Sequence, residues 1–169
     1  MFATVKDAVD TIAAQGGVTR NVIAALPDEA HGTRPHEKSR TGGELAWHVA
    51  TATHWFIAEA FKLKVPPRPA PPPTTSAGMV AAYDALLKSC LAALKKKKDA
   101  WLREEIDFFG TPTTNGALLN VMLIHDVHHR AQLGLYVRLA GGKVPAICGP
   151  SADDPGQVHP KKKKASSAK

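Results

Sequence analysis

Apolar residues recur at helical spacing along four stretches of this chain, and each stretch predicts one helix. In the first, Val5, Val9, Ile12, Val22 and Ile23 give one buried face to a helix from about Thr4 to Leu26, where Pro27 stops it. Gly16-Gly17 interrupts that pattern and predicts a kink. The polar stretch from Asp28 to Arg40 reads as a loop. Thr41 followed by Glu44 is a capping-box pattern and opens a second helix, with Leu45, His48, Ala52 and Trp55 on one seam and an end near Lys62. The third starts near Ser76, carries Met79, Tyr83, Leu86, Leu87, Leu91 and Leu94, and runs into Lys95 to Lys98, with Asp99, Trp101 and Leu102 suggesting one further turn. Phe108, Phe109, Gly110 and Pro112 predict a loop closing one end of the core. The fourth helix opens at Thr114 or Asn115 and stops at Gly141-Gly142. Val144 to Pro155 reads as extended and packed.

Between the second and third helices lie prolines 66, 67, 69, 71, 72 and 73, which exclude a helix and favour an extended polyproline-type run. At ~3.1 Å per residue, the stretch from Lys64 to Thr75 spans roughly 37 Å, enough to return along a whole helix. Helices two and three then become parallel neighbours. The expected fold is all-α, a four-helix bundle of up-down-down-up order with a long crossover between helices two and three. The same proline run also suits a ligand for a proline-binding domain.

The 169-residue length and 44% hydrophobic content fit one domain, taken as residues 1–155. Net charge is +7, but Lys161 to Lys164 and Lys169 supply five of those charges, leaving a body near neutrality. That distribution argues against nucleic acid as the main partner, since such binding rests on a basic face spread over the fold. Residues 156–169 read as a disordered lysine-rich tail. Two cysteines, Cys90 and Cys148, make no disulfide framework and match no zinc-finger spacing. No secretory leader and no apolar run near the ~20 residues of a membrane span stand out. A cytoplasmic location is expected.

The chemistry concentrates in Ile124-His125-Asp126-Val127-His128-His129-Arg130-Ala131-Gln132-Leu133. Residues four apart on a helix differ by roughly 40° and about 6 Å, so one ion can reach both His125 and His129. The line Leu118, Met122, His125, His129, Gln132 and Tyr136 has the spacing of an inward seam. A neighbouring line through Val121, Ile124, His128, Ala131 and Leu135 is equally apolar, so periodicity leaves open whether His128 or His129 joins His125. His48 supplies an imidazole from a second helix. Three histidines leave a metal with an open position, the arrangement of a reactive site. His31, His36, His54 and His159 fall on loops, an outer helix face or the tail and receive no role.

The run from His125 to Leu133, the earlier His48, and Gly142-Lys143-Val144-Pro145 with Gly149-Pro150-Ser151-Ala152-Asp153 resemble the DinB/YfiT-like metalloprotein family over most of residues 1 to 155. The resemblance implies an up-down-down-up bundle and a divalent metal, commonly nickel or zinc, on the positions His48, His125 and His129. Members include transferases that use bacillithiol, mycothiol or glutathione, and thiol-dependent isomerases. It also implies a homodimer. Cys148 stands where an aromatic is common, and Ala131 where glycine is usual.

The leading expectation is a metal-dependent thiol S-transferase acting on a small electrophile, with a low-molecular-weight thiol as co-substrate. A metal-dependent hydrolase and a non-enzymatic metal-binding stress protein are the alternatives. Glu44 and Asp126 are candidates to orient the imidazoles, or else a helix-start carboxylate and a surface pair with Arg130. Cys148 could add a fourth ligand or a redox role, and Cys90 is expected in the core.

Overall fold

In the computed structural model, which describes residues 2–154, helices form where the apolar spacing predicts them. They are α1 (Val5–Ala25), α2 (Gly42–Trp55), α3 (Ser76–Leu94) and α4 (Asn115–Leu139). A threonine side chain caps each start: Thr4, Thr41, Thr75 and Thr114 accept backbone N–H groups that the first turn cannot satisfy internally. Thr4 with Asp7 and Thr41 with Glu44 form reciprocal capping boxes.

Helices α1 and α2 each pack on both α3 and α4. One apolar cluster joins the first turns of α1 and α4 (Val5, Val9, Ile12, Leu118, Leu119, Met122) to Phe56, Ile57, Cys90 and Leu94. The other joins the last turns of α1 and α4 (Ile23, Leu26, Leu133, Val137) to Leu45, Ala46, Val49, Met79, Val80 and Tyr83. The starts of α2 and α3 therefore share one end of the body, and the proline-rich crossover connects opposite ends. His31 and Asp28 fix the start of α3: His31 Nε2 lies 2.8 Å from Ser76 Oγ, and Ser76 N donates to Asp28 Oδ1 at 2.7 Å.

Several expected boundaries differ. Helix α1 runs unbroken through Gly16 and Gly17. Gly16 is buried because α3 comes close there: a Cβ on it would meet Leu87 and the Tyr83 hydroxyl. Helix α2 does not continue as α-helix to Lys62 but passes at Phe56–Ala60 into a π-helical turn. Helix α3 ends at Leu94, and a short 3-10 turn at Asp99–Arg103 buries Trp101 and Leu102. The segment expected as a loop is an antiparallel hairpin of β1 (Glu105–Phe108) and β2 (Thr111–Thr114), so the body is not purely helical. Its tip places Phe109 (φ 54°) and Gly110 (φ 79°) in left-handed conformations, as a two-residue primed turn requires. With Phe rather than Asn, Asp or Gly leading that turn, and Pro112 in the second strand, the usual hairpin signature is absent.

By length and composition alone α3 is apolar enough to cross a membrane, although it carries Asp84 and Lys88. It packs one face on the core, burying Met79, Tyr83, Leu86, Cys90 and Leu94. After α4 the chain folds back: Val144 N donates to Asp153 Oδ2 at 2.8 Å, and Arg138 pairs with the same carboxylate. The lysine-rich tail lies outside the described residues.

Two glycine substitutions should move stability in opposite directions. A Cβ on Gly17, inside α1, meets nothing within 4 Å, so Gly17→Ala should stabilise by about 0.5–1 kcal/mol. A Cβ on Gly42 runs into the Ala30 backbone carbonyl, which cannot swing aside, so Gly42→Ala should cost about 1–3 kcal/mol. Urea denaturation followed by circular dichroism reads both.

Candidate metal centre

His48 comes from the middle of α2, and His125 and His129 from successive turns of α4. Each offers one ring nitrogen, and the three nitrogens lie within 4.8 Å of one another. The ring centroids are 5.1 Å apart for His48 and His125, and 4.4 Å for each pair that includes His129. Of the two candidates it is His129, not His128, whose ring is brought to His48 and His125. His128 is exposed, as are Val121, Ile124, Ala131 and Leu135 of its line, so that apolar stripe faces outward.

All three imidazoles are half-buried and held neutral. Burial lowers His48 and His125 from the ordinary 6.5 to about 4, with Arg40 and the neighbouring rings pushing the same way. Burial also lowers His129, although its hydrogen bond to Gln132 opposes the shift. His129 Nδ1 lies 2.7 Å from Gln132 Oε1, so the ring donates there and keeps its Nε2 lone pair free. His48 Nε2 and His125 Nδ1 are buried with no hydrogen-bond partner among the described residues. A buried polar atom without a partner is costly, and neutral imidazole nitrogens are donors that nickel or zinc accepts. The donor set fits a divalent metal.

Neither proposed carboxylate joins the rings. Glu44 is exposed, occupied by Thr41 N at 2.7 Å and by Arg34 at 3.2 Å. Asp126 is no surface partner of Arg130, because both are buried against α1. Asp126 Oδ2 accepts from the Thr19 hydroxyl at 2.8 Å, and Arg130 donates to Gln15 O at 2.8 Å and to Gln15 Oε1 at 2.7 Å. His54, expected on an outer face, is buried because the crossover covers it, with Nε2 2.7 Å from Pro66 O. Cys148 is exposed and stands apart from the three nitrogens, whereas Cys90 is in the core.

Two openings flank the rings. A cavity of about 390 Å³ is lined by His48, Thr51, Ala52, Trp55, Phe56, Arg68, Phe108, Phe109 and His125. Phe109, expected to close the core, is 81% exposed at its mouth. On the other side His129 and Gln132 border a basin of about 980 Å³ that carries Arg34, Lys38 and Arg40. Arg40 and Arg68 went unrecognised in the sequence, for one sits in a polar loop and the other in a proline run, where no periodicity marks a facing side.

A family model described as the DinB family matches residues 1–161. The uncharacterized protein YrdA of Bacillus subtilis (strain 168) is 28% identical over 156 residues, covering 91% of this chain and 93% of that protein. The uncharacterized protein YjoA of the same organism is 26% identical over 127 residues, covering 73% and 82%. A DinB-like protein of Bacillus cereus ATCC 10987 superposes with a TM-score of 0.78 at 28% identity, covering 86% of this chain and 99% of that one. The YjoA structure, at 24% identity and a TM-score of 0.65, covers 83% and 96% and shares the fold.

Elemental mass spectrometry on untagged protein should find near-stoichiometric metal in wild type and His128→Ala, and little in His48→Ala, His125→Ala or His129→Ala. Equal content in all five proteins would reduce the rings to core packing. Acid should release the metal late. Protons compete for His48 and His125 only near pH 4, and for His129 below the ordinary 6.5, so retention should persist below pH 6.5 and be lost as pH approaches 4. Without metal, the unfolded rings take up protons below 6.5 while the folded ones do not, so stability should drop as pH falls from 6.5 toward 4. Asp126→Asn keeps an acceptor for the Thr19 hydroxyl and so the seating of α4, and should lower stability while leaving metal content unchanged.

Proposed function

Because this chain belongs to the DinB family, and because three neutral imidazoles converge beside an open cavity, we propose that it is a metal-dependent thiol S-transferase acting on small electrophiles. His48, His125 and His129 would hold the ion, nickel or zinc. A divalent ion bound there supplies positive charge that favours a thiolate over a thiol, the species that attacks carbon electrophiles. Sulfur forms the new bond to carbon, the leaving group departs with its electron pair, and the thiol proton passes to solvent.

The convergence of three uncharged donors carries this reading. They bring no negative charge, so a divalent ion on them would leave its charge available to favour a thiolate, and Arg40 adds to that field. Gln132 fixes the His129 ring. The nucleophile has to come from outside: burial pushes the Cys90 thiol up to about 12, and Cys148 stands apart from the rings. Hydrolysis is less well served, because no carboxylate lines the cavity beside His48 and His125 to act as a base for water.

The test is product formation from an aryl halide or epoxide by metal-loaded, untagged protein, with and without a small thiol. Product should require both thiol and metal, and His129→Ala should lower the rate by at least about tenfold, the loss expected when a ligand of the reacting site is removed. Turnover without thiol would point to the hydrolase, and none with any thiol to a metal-binding module.

A further inference from the structure

The cavity between the triad and the hairpin has a chemical character of its own. Trp55, Phe56, Phe108 and Phe109 form its walls. The Trp55 and Phe109 rings are nearly parallel, at 16° with centroids 6.2 Å apart, and Phe56 stands 5.7 Å from His125. Arg68 is the one lining side chain that carries a fixed charge, and no carboxylate faces it there. Glu59 and Asp107 appear only in the wider basin outside, and neither forms an ion pair with Arg68 among the described residues. The crossover that bears Arg68 is tied down two residues earlier, where Pro66 O meets His54 Nε2 at 2.7 Å.

We propose that this cavity is a subsite for a flat, apolar molecule carrying one anionic group, with the aromatic side chains taking the body and Arg68 the anion. The inference deepens the transferase reading by naming the class of electrophile, and rests on it only for the metal at the inner end. Aromatic faces favour flat ligands, and a guanidinium fork matches a carboxylate in plane while its face can lie on an aromatic ring. Arg68 is thus a specificity residue, selecting anionic over neutral or cationic ligands of the same shape.

Isothermal titration of full-length protein, zinc-loaded and metal-stripped, with 2-naphthoate, 2-naphthalenemethanol and 2-naphthylmethylamine tests this. Naphthoate should bind about tenfold more tightly than the alcohol in both preparations, as one charge-assisted contact allows, and the amine should bind most weakly. Arg68→Gln should erase the preference, Arg68→Lys should keep part of it, and Phe109→Ala should weaken all three probes by a similar factor. Lys38→Gln, across the rings in the other basin, should change none of them. No binding, equal binding of the three probes, or a preference that survives Arg68→Gln would overturn the proposal. A preference seen only with zinc and surviving Arg68→Gln would place the anion on the metal instead. Since neither thiol nor turnover enters the readout, failure here leaves thiol transfer untouched, and failure of thiol transfer leaves this binding untouched.

Discussion

Arg130 is fully buried, and a buried guanidinium has to find hydrogen-bond acceptors or the helix that carries it will not dock. Its acceptors are Gln15 O and Oε1 on α1, while the adjoining Asp126 takes the Thr19 hydroxyl. Asp126 and Arg130 are four residues apart and form one stripe of α4. His125 and His129 form the next stripe, about 100° around the helix. Seating the first stripe on α1 therefore aims the second at α2, where His48 waits. Apolar clusters lie to either side along α4, with Met122 in one and Leu133 in the other, so neither polar stripe can slip by a turn without driving polar groups into hydrocarbon. The rotation of α4 that brings the three rings together is thus set by contacts about a quarter-turn around the helix from them.

The rings occupy a site that suits cations poorly in one form and well in another. Protonation is resisted by burial, by neighbouring rings and by Arg40, which keeps lone pairs available. The same positive field also opposes a bare divalent ion, and no carboxylate among the ligating group offsets it. An ion held there would then take its charge balance from an anion entering with it or after it.

What the sequence made legible follows from which signals are periodic. The helix seams, the Thr41-Glu44 box and the triad's i, i+4 spacing are regular, and they reappear in the structure at the expected places. The choice between His128 and His129 was not legible from spacing, since Val121, Ile124 and Leu135 are apolar yet exposed, and apolar is not the same as inward. His54 was misplaced because a residue on the outer side of α2 is covered by a crossover that leaves no trace in the helical pattern. The hairpin was missed because each strand is four residues long and its turn begins with Phe109. Arg40 and Arg68 belong to segments whose facing is decided by tertiary contacts alone.

One stripe of α2 shows how thin the line is between core and site. His48, Thr51, Ala52 and Trp55 recur at the spacing of a buried seam, and they line the cavity instead. The difference is volume. Thr51 and Ala52 are small, and where two large apolar residues would have closed the gap against α4 and the hairpin, these leave room between the ring of His48 and that of Trp55 two turns away. The π-helical turn that follows at Phe56–Ala60 widens the helix next to this gap, the kind of local departure that often accompanies a binding site. His48 and Trp55 are thereby mounted on one helix, so the spacing between a candidate ligand and the aromatic wall follows from the pitch of α2.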